Sequence, residues 1–141
     1  MEARRLYVMT GLFVVAMGVL FWLLATLPTP WNAQRYLGTV LAVLGISLVA
    51  LARYQLGRSF SVKAEAHHLV TTGLYSKIRN PIYVFGMVML TGLTLVAQRP
   101  VLWIALAAVA VAQSFRARRE AQVLEAAFGD AYREYRCKTW F

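Results

Sequence analysis

Four apolar segments without charged residues constrain the fold of this chain most strongly. Residues 6–27 form a run of 22 residues that is long enough to cross a bilayer as a helix, and residues 36–52 form a run of 17. Residues 82–97 and 101–113 are shorter and are separated only by Gln98, Arg99 and Pro100. Because proline can open a helix at its first position, these two segments predict a helical hairpin. We therefore expect four membrane-spanning helices at about 6–27, 36–52, 82–97 and 101–115.

The composition agrees with a membrane protein. Hydrophobic residues make up 60% of the chain and charged residues 15%, whereas charged residues make up about a quarter of a soluble domain. A length of 141 residues fits one domain, 1–141. The single cysteine, Cys137, forms no internal disulfide, and no cluster of Cys and His predicts a metal site. The expected fold is an all-α integral membrane bundle without a metal.

The distribution of basic residues predicts the topology. Only Arg35 and Arg99 lie in the first and third connections. The other thirteen basic residues lie at the N-terminus, in the second connection and in the tail: Arg4, Arg5, Arg53, Arg58, Lys63, Lys77, Arg79, Arg116, Arg118, Arg119, Arg133, Arg136 and Lys138. This asymmetry predicts a multi-pass protein with both termini in the cytoplasm. Orientation and anionic membrane lipids explain the net charge of +9, so nucleic acid is not an expected partner.

The predicted spans contain no ionisable Asp, Glu, Lys, Arg or His. A small proton-coupled exporter needs such a group inside the membrane, so this class of transporter is disfavoured. Gly11 and Gly18, and likewise Gly38 and Gly45, recur seven residues apart and predict close helix packing. The bundle is therefore expected to be a scaffold, with any chemistry at its cytoplasmic end.

A polar segment, HHLVTTGLYSKIRNPIY at residues 67–83, lies in the long connection between the second and third spans. Long connections in compact domains tend to be functional or disordered, and the aromatic and branched residues here favour order. Asn80 and Pro81 also have a local interpretation, as N-cap and first residue of the third helix. That interpretation does not explain why His67, Tyr75 and Tyr83 occur together. We interpret the segment as half of a binding site.

The second polar segment continues the fourth helix beyond the membrane until Gly129 ends it. Arg116 and Glu120 are four residues apart and share one helix face. Their spacing alone is compatible with an ordinary surface ion pair as well as with the other half of the site.

Together these segments resemble a known family. The pattern His-x-Leu-Val-Thr-x-Gly-x-Tyr begins at His67 and is followed by Arg-x-Pro-x-Tyr from Arg79. After the hairpin comes Arg-x-x-x-Glu-x-x-x-Leu-x-x-x-Phe-Gly-x-x-Tyr-x-x-Tyr, from Arg116 to Tyr135. The chain resembles the isoprenylcysteine carboxyl methyltransferase family and its relatives among the phospholipid methyltransferases, from about residue 56 to residue 135.

The resemblance implies an integral membrane methyltransferase that uses S-adenosylmethionine and releases S-adenosylhomocysteine. It implies a cytoplasmic cofactor-binding loop and tail at 56–83 and 116–135, and a lipophilic acceptor. The cofactor-binding residues that it implies are His67, His68, Leu69, Val70, Tyr75, Asn80, Pro81, Ile82, Tyr83 and Glu120. It places Arg116 at the methyl acceptor and makes Arg116 and Glu120 the catalytic candidates.

Two positions depart from the family pattern. The family usually has His where this chain has Asn80, and it often has a second glutamate where this chain has Ala121. Three interpretations therefore stay open. The chain methylates a carboxylate, as in isoprenylcysteine carboxyl methylation, or it methylates a phospholipid or other lipid amine. The third is a non-catalytic membrane protein that keeps the fold.

The residue types suit methyl transfer. A carboxylate such as Glu120 suits the ammonium or ribose hydroxyls of the cofactor, and the rings of Tyr75 and Tyr83 suit its adenine or sulfonium. The backbone of Leu69 and Val70 suits the adenine edge. A carboxylate acceptor needs no general base, and Arg116 can hold one with paired hydrogen bonds. Positioning then supplies much of the rate, so the lack of a nucleophile–base pair is no objection.

Overall fold

The computed structural model describes residues 2–56 and 70–141 and confirms the all-α membrane bundle. The described part contains five α-helices and one short 3-10 turn, and no strand. Their bounds are α1 Glu2–Thr26, α2 Ala33–Leu56, the 3-10 turn Gly73–Ser76, α3 Pro81–Ala97, α4 Val101–Phe128 and α5 Asp130–Lys138.

Two helices, α2 and α4, are long and apolar enough to cross a membrane, and two shorter apolar stretches are Phe13–Thr26 and Pro81–Ala97. The helix α4 runs unbroken for 28 residues, so one element carries both an apolar half and the polar half that holds Arg116 and Glu120. Large apolar side chains face outward, such as Phe21 (74% exposed) and Ile104 (73% exposed). Apolar surface of this kind suits contact with lipid.

The helices α2 and α3 form the main packing contact of the bundle, and glycines let their backbones approach. A Cβ atom added at Gly92 would lie 2.6 Å from the carbonyl oxygen of Gly38, and one at Gly45 would lie 2.5 Å from the amide nitrogen of Met89. Ala42 lies in the same contact and is fully buried. The predicted close packing at Gly38 and Gly45 is therefore confirmed, because only small residues allow this separation.

The helix α1 packs differently from the prediction. A Cβ added at Gly11 or Gly18 would meet no described atom within 4 Å, so the close approach predicted there is wrong. Instead Leu20 inserts into a small core with Ala42 and Ile46 of α2. A large side chain holds α1 farther away than glycine contacts would, and seven-residue spacing alone does not distinguish the two arrangements.

Arg35 is buried at the start of α2 and holds the first connection together. Its guanidinium donates hydrogen bonds to the carbonyl oxygen of Leu24 at 2.6 Å and to that of Thr29. It also lies 4.3 Å from the centre of the Trp31 ring, in a cation–π contact. Leu24 is in the last turn of α1, where free carbonyl groups and the helix dipole favour a positive charge.

The predicted hairpin between α3 and α4 is confirmed. Gln98 adopts the left-handed conformation (φ 51°) and donates its backbone N–H to the carbonyl of Thr94 at 3.1 Å, which ends α3. Its side chain also donates to the carbonyl of Pro30 at 3.1 Å and so ties the hairpin to the first connection. Pro100 is the N-cap residue of α4 and not its first residue, a shift of one position.

The chain after α5 returns to the start of α3. As predicted, Gly129 ends α4, with a positive φ of 52° and its N–H bonded to the Glu125 carbonyl at 2.9 Å. Beyond α5, Trp140 accepts a hydrogen bond from the backbone of Arg79 at 3.2 Å and donates one to Lys77 at 3.0 Å. This parallel pairing fixes the segment that leads into α3.

Substitution of Gly92 by Ala tests the α2–α3 contact. The added methyl group would overlap the backbone nitrogen of Ala42, and backbone atoms cannot rotate away. We expect Gly92→Ala to lower the free energy of unfolding by about 1–3 kcal/mol. On the same helix, Gly86 has open space around it, so Gly86→Ala is expected to stabilise by up to about 1 kcal/mol through helix propensity. Thermal unfolding in detergent measures both, and equal effects would contradict the contact.

Candidate functional site

Glu120 of α4 joins the two polar segments of the chain. Its Oε1 accepts a hydrogen bond from the hydroxyl of Tyr83 at 2.5 Å and another from Nε of Arg116 at 3.1 Å. Tyr83 belongs to the first turn of α3, which is 37 residues away in sequence. The predicted Arg116–Glu120 pair is confirmed, and its link to Tyr83 makes it more than a surface ion pair along one helix.

Both members of the ion pair are open to solvent. The side chain of Arg116 is 54% exposed and that of Glu120 is 32% exposed. An exposed pair of this kind contributes only about 0–1 kcal/mol to stability. The second carboxylate oxygen of Glu120, Oε2, has no hydrogen-bond donor among the described residues. The cluster therefore has an acceptor available for a ligand.

Tyr75, in the 3-10 turn, supplies a buried hydroxyl to the same region. The residue is 6% exposed, and its hydroxyl has no hydrogen-bond partner among residues 2–56 and 70–141. Burial raises the pKa of this phenol well above its ordinary value, and the charges of Tyr135 and Glu120 add to the rise while Arg53 opposes it. The hydroxyl is thus neutral at physiological pH. A buried polar group without a partner costs about 1–3 kcal/mol, so the position suits a polar group of a bound ligand.

Two side chains hold the 3-10 turn in place. Oε1 of Gln55, at the end of α2, accepts the backbone N–H of Leu74 at 2.7 Å. The hydroxyl of Tyr135, on α5, donates to the carbonyl of Tyr75 at 2.7 Å. Burial raises the pKa of Tyr135 to about 12, which keeps this donor protonated. Neither Gln55 nor Tyr135 is among the individually predicted site residues, although Tyr135 ends the motif that carries the resemblance.

The residues predicted to bind a cofactor fall into three groups. His67, His68 and Leu69 lie outside the described residues, and Val70 is half-buried three residues before the 3-10 turn. Tyr75, Tyr83 and Glu120 come together as described above, beside Arg116, which was predicted to hold the methyl acceptor.

The remaining three, Asn80, Pro81 and Ile82, lie at the start of α3. Pro81 is the first residue of the helix, as predicted, and Ile82 is half-buried. Asn80 occupies the predicted N-cap position, but its side chain makes no capping hydrogen bond. It lines a separate cleft with Arg79, on the other side of α4 from Glu120. The structure thus does not group Asn80 with the Glu120 cluster.

The donor set of the cluster suits an organic ligand. It offers a carboxylate, a guanidinium and two phenol hydroxyls within one region. Across residues 2–56 and 70–141, no three His, Cys, Asp or Glu side chains are arranged to hold a metal ion.

Comparison with protein families gives one match. Residues 33–131 match the family model described as phospholipid methyltransferase. The matched region includes α2, the 3-10 turn, α3 and α4, and with them Tyr75, Tyr83, Arg116 and Glu120. A search of curated proteins gives no significant match.

Replacement of Tyr135 by Phe tests how the 3-10 turn is held. Loss of the hydroxyl leaves the carbonyl of Tyr75 without its donor, and we expect the free energy of unfolding to fall by about 1 kcal/mol. Tyr54 is 65% exposed on α2, so Tyr54→Phe is the matched control and is expected to have no effect beyond about 0.5 kcal/mol. Thermal unfolding in detergent compares them. A Tyr135→Phe protein as stable as the control would show that this bond does not anchor the turn.

Proposed function

The chain belongs to the phospholipid methyltransferase family, and from this membership we propose that it transfers a methyl group from S-adenosylmethionine to a lipophilic acceptor at the cytoplasmic face of a membrane. The observation that carries the proposal is the Tyr83–Glu120–Arg116 cluster beside the buried hydroxyl of Tyr75. A carboxylate fixed by two donors suits the positive charge and the hydroxyls of this cofactor, and a buried hydroxyl suits its polar atoms.

The residues fit this cofactor. S-adenosylmethionine supplies a methyl group on a sulfonium, which is already activated for transfer. Glu120 would hold its ammonium or ribose hydroxyls through Oε2, while Tyr83 and Arg116 fix the carboxylate through Oε1. The hydroxyl of Tyr75 would donate to a polar atom of the cofactor. The resemblance assigns the rest of the cofactor site to His67, His68, Leu69, Val70, Pro81 and Ile82. It also includes Asn80, which in the structure lines a separate cleft.

Arg116 would hold the acceptor. Its guanidinium is 54% exposed and uses Nε for Glu120, which leaves its terminal nitrogens for a second carboxylate. A carboxylate accepts a methyl group without losing a proton, so the cluster needs no additional base. Held side by side by Arg116 and Glu120, acceptor and donor would react largely through positioning.

Methylation of a lipid amine is the second candidate, and the description of the matched family supports it. A lipid amine is protonated at neutral pH and must lose a proton before it can accept a methyl group. Glu120 is the one carboxylate in the described cluster, and it would then have to accept that proton or orient a water that does. The two candidates therefore assign different tasks to the same residue.

The placement in the membrane follows from the charges. We propose a multi-pass protein with both termini in the cytoplasm, supported by thirteen basic residues on the predicted cytoplasmic side against two on the other. One of those two, Arg35, is buried and bonded within the first connection. Phe115 precedes Arg116 and is 61% exposed, so an acceptor in the bilayer would reach the cluster along the apolar side of α4.

Binding of S-adenosylhomocysteine to the Glu120→Gln protein tests the cofactor site. Calorimetry on detergent-purified wild type is expected to show binding, and loss of the carboxylate is expected to weaken it at least about tenfold, because a charge-assisted hydrogen bond is lost. Glu134 forms an exposed i,i+4 pair with Lys138, so Glu134→Gln is the matched control and is expected to bind like wild type. Equal binding by Glu120→Gln and wild type would contradict the assignment.

Kinetics of Arg116→Gln test the acceptor. With a prenylated cysteine as acceptor, we expect KM to rise by about tenfold or more, because a bidentate contact to the carboxylate is lost. Binding of S-adenosylhomocysteine should change much less. The same assay with a phospholipid amine measures the second candidate. If only the phospholipid amine is methylated, the proposal of a carboxylate acceptor is wrong. If the protein binds the cofactor but methylates neither acceptor, it is a non-catalytic protein that keeps the fold.

A further inference from the structure

A cleft of about 580 Å³ lies on the side of α4 that faces away from Glu120. It is bounded by the start of α3, by α4 and by α5, and Phe141 also lines it. Its polar lining consists mainly of Arg79, Asn80, Arg118, Glu125, Tyr132 and Arg136.

This basic cleft is distinct from the Glu120 cluster. Arg118 and Glu120 are two residues apart on one helix, which turns their side chains roughly 200° apart and so to nearly opposite sides. Tyr75, Tyr83, Arg116 and Glu120 are all absent from its lining. The long helix α4 therefore separates two polar regions.

The charges of the cleft are unbalanced. Among the side chains of its lining, three are guanidiniums and one is a carboxylate, that of Glu125. Glu125 is already engaged by Arg133 at 2.9 Å, and its contact with Arg136 is longer, at 3.8 Å. Neither Arg79 nor Arg118 forms an ion pair with another described residue. The cleft thus has an excess of positive charge that attracts an anion.

Arg79 supplies a buried donor in this cleft. Its Nε has no hydrogen-bond acceptor within the part of the chain that the structure describes. Tyr132, also in the lining, is 2% exposed. Burial raises the pKa of its phenol, although Arg79 opposes the rise, and the hydroxyl is therefore neutral at physiological pH. A buried N–H without an acceptor is costly, and a group with several oxygen acceptors would satisfy it. Phosphate is such a group, and arginine binds it with paired hydrogen bonds.

The position of the cleft selects a lipid as the source of the phosphate. Its lining on α4 begins at Ser114, directly after the uncharged stretch 101–113. Trp140 (60% exposed) and Phe115 (61% exposed) lie next to lining residues in sequence, and aromatic residues of this kind favour the membrane interface. The basic groups are therefore at the level of lipid headgroups.

We propose that the basic cleft binds the phosphate of an anionic glycerophospholipid, at a site separate from methyl transfer. Arg118 and Arg79 bind the phosphate from α4 and from the start of α3. The lipid connects three elements, α3, α4 and α5, and stabilises the cytoplasmic end of the bundle. The bound lipid is not methylated, because α4 stands between it and Glu120.

Thermal unfolding with added lipid tests this site. The purified wild type in detergent is titrated, without cofactor, with short-chain phosphatidylglycerol, with the matched phosphatidylcholine and with inorganic phosphate. A ligand that binds only the folded state raises Tm, and the rise grows with the logarithm of ligand concentration above Kd. We expect a concentration-dependent rise with phosphatidylglycerol and none with the other two at the same concentrations. A rise as large with phosphatidylcholine, or with inorganic phosphate, would overturn the proposal of an anionic lipid site.

A pair of neighbouring arginines provides the control for unspecific charge effects. Arg118 and Arg119 are both exposed and adjacent, but only Arg118 lines the cleft. We expect Arg118→Gln to weaken phosphatidylglycerol binding by roughly tenfold, since a charge-assisted contact is lost, and Arg119→Gln to leave it within about twofold. Equal weakening by both substitutions would show only general attraction to negative charge and would reject the site.

Binding of S-adenosylhomocysteine to Arg118→Gln separates the two sites. We expect an affinity equal to that of wild type, because Arg118 faces away from Glu120. A parallel loss of lipid and cofactor binding would contradict two independent sites. The lipid titration uses no cofactor, so its outcome stands whether or not the chain proves to be a methyltransferase.

Discussion

The close contact between the backbones of α2 and α3 determines the position of every other functional element. Gly38 and Gly45 of α2 and Gly92 of α3 remove the side chains that would separate the two helices. In a bilayer, lipid is as apolar as the side chains, so shape and close packing hold helices together. This contact sets where α3 begins, and therefore where Tyr83 meets α4. It also sets where α2 ends, and therefore where Gln55 holds the 3-10 turn.

The helix α4 uses its length to carry two different polar regions. Its apolar half belongs to the bundle, and its polar half extends beyond the last uncharged residues as one continuous helix. One side presents Glu120, which accepts hydrogen bonds from Tyr83 and Arg116 at a single oxygen. The opposite side presents Arg118 to a cleft closed by α5. The side of α4 on which a residue lies thus determines the ligand that it can contact.

Local sequence signals predicted the local features of this fold. Apolar length predicted the helices, and Gln98 to Pro100 predicted the hairpin, because these signals act within a few residues. Gly129 predicted the end of α4 for the same reason. The i,i+4 spacing predicted that Arg116 and Glu120 share a face, and the structure shows them as an ion pair.

Such local signals could not predict the contacts between residues that are distant in sequence. The bond from Tyr83 to Glu120 depends on how α3 and α4 cross, and the bond from Tyr135 to Tyr75 depends on where α5 folds back. Glycine spacing predicted close packing equally for α1 and α2, yet only the glycines of α2 meet the backbone of α3. Likewise the sequence placed Asn80 with the other cofactor residues, whereas its side chain lines the basic cleft.

The central claim is that the 3-10 turn and α4 bind one cofactor between them, and a double-mutant cycle tests it most directly. Calorimetry would measure S-adenosylhomocysteine binding to wild type, Tyr75→Phe, Glu120→Gln and the double variant. Two residues that contact one ligand and lie near each other are expected to couple by about 0.5–3 kcal/mol. Binding by wild type with coupling in this range would support a shared site. Strictly additive effects, or no binding by a folded wild type, would contradict it.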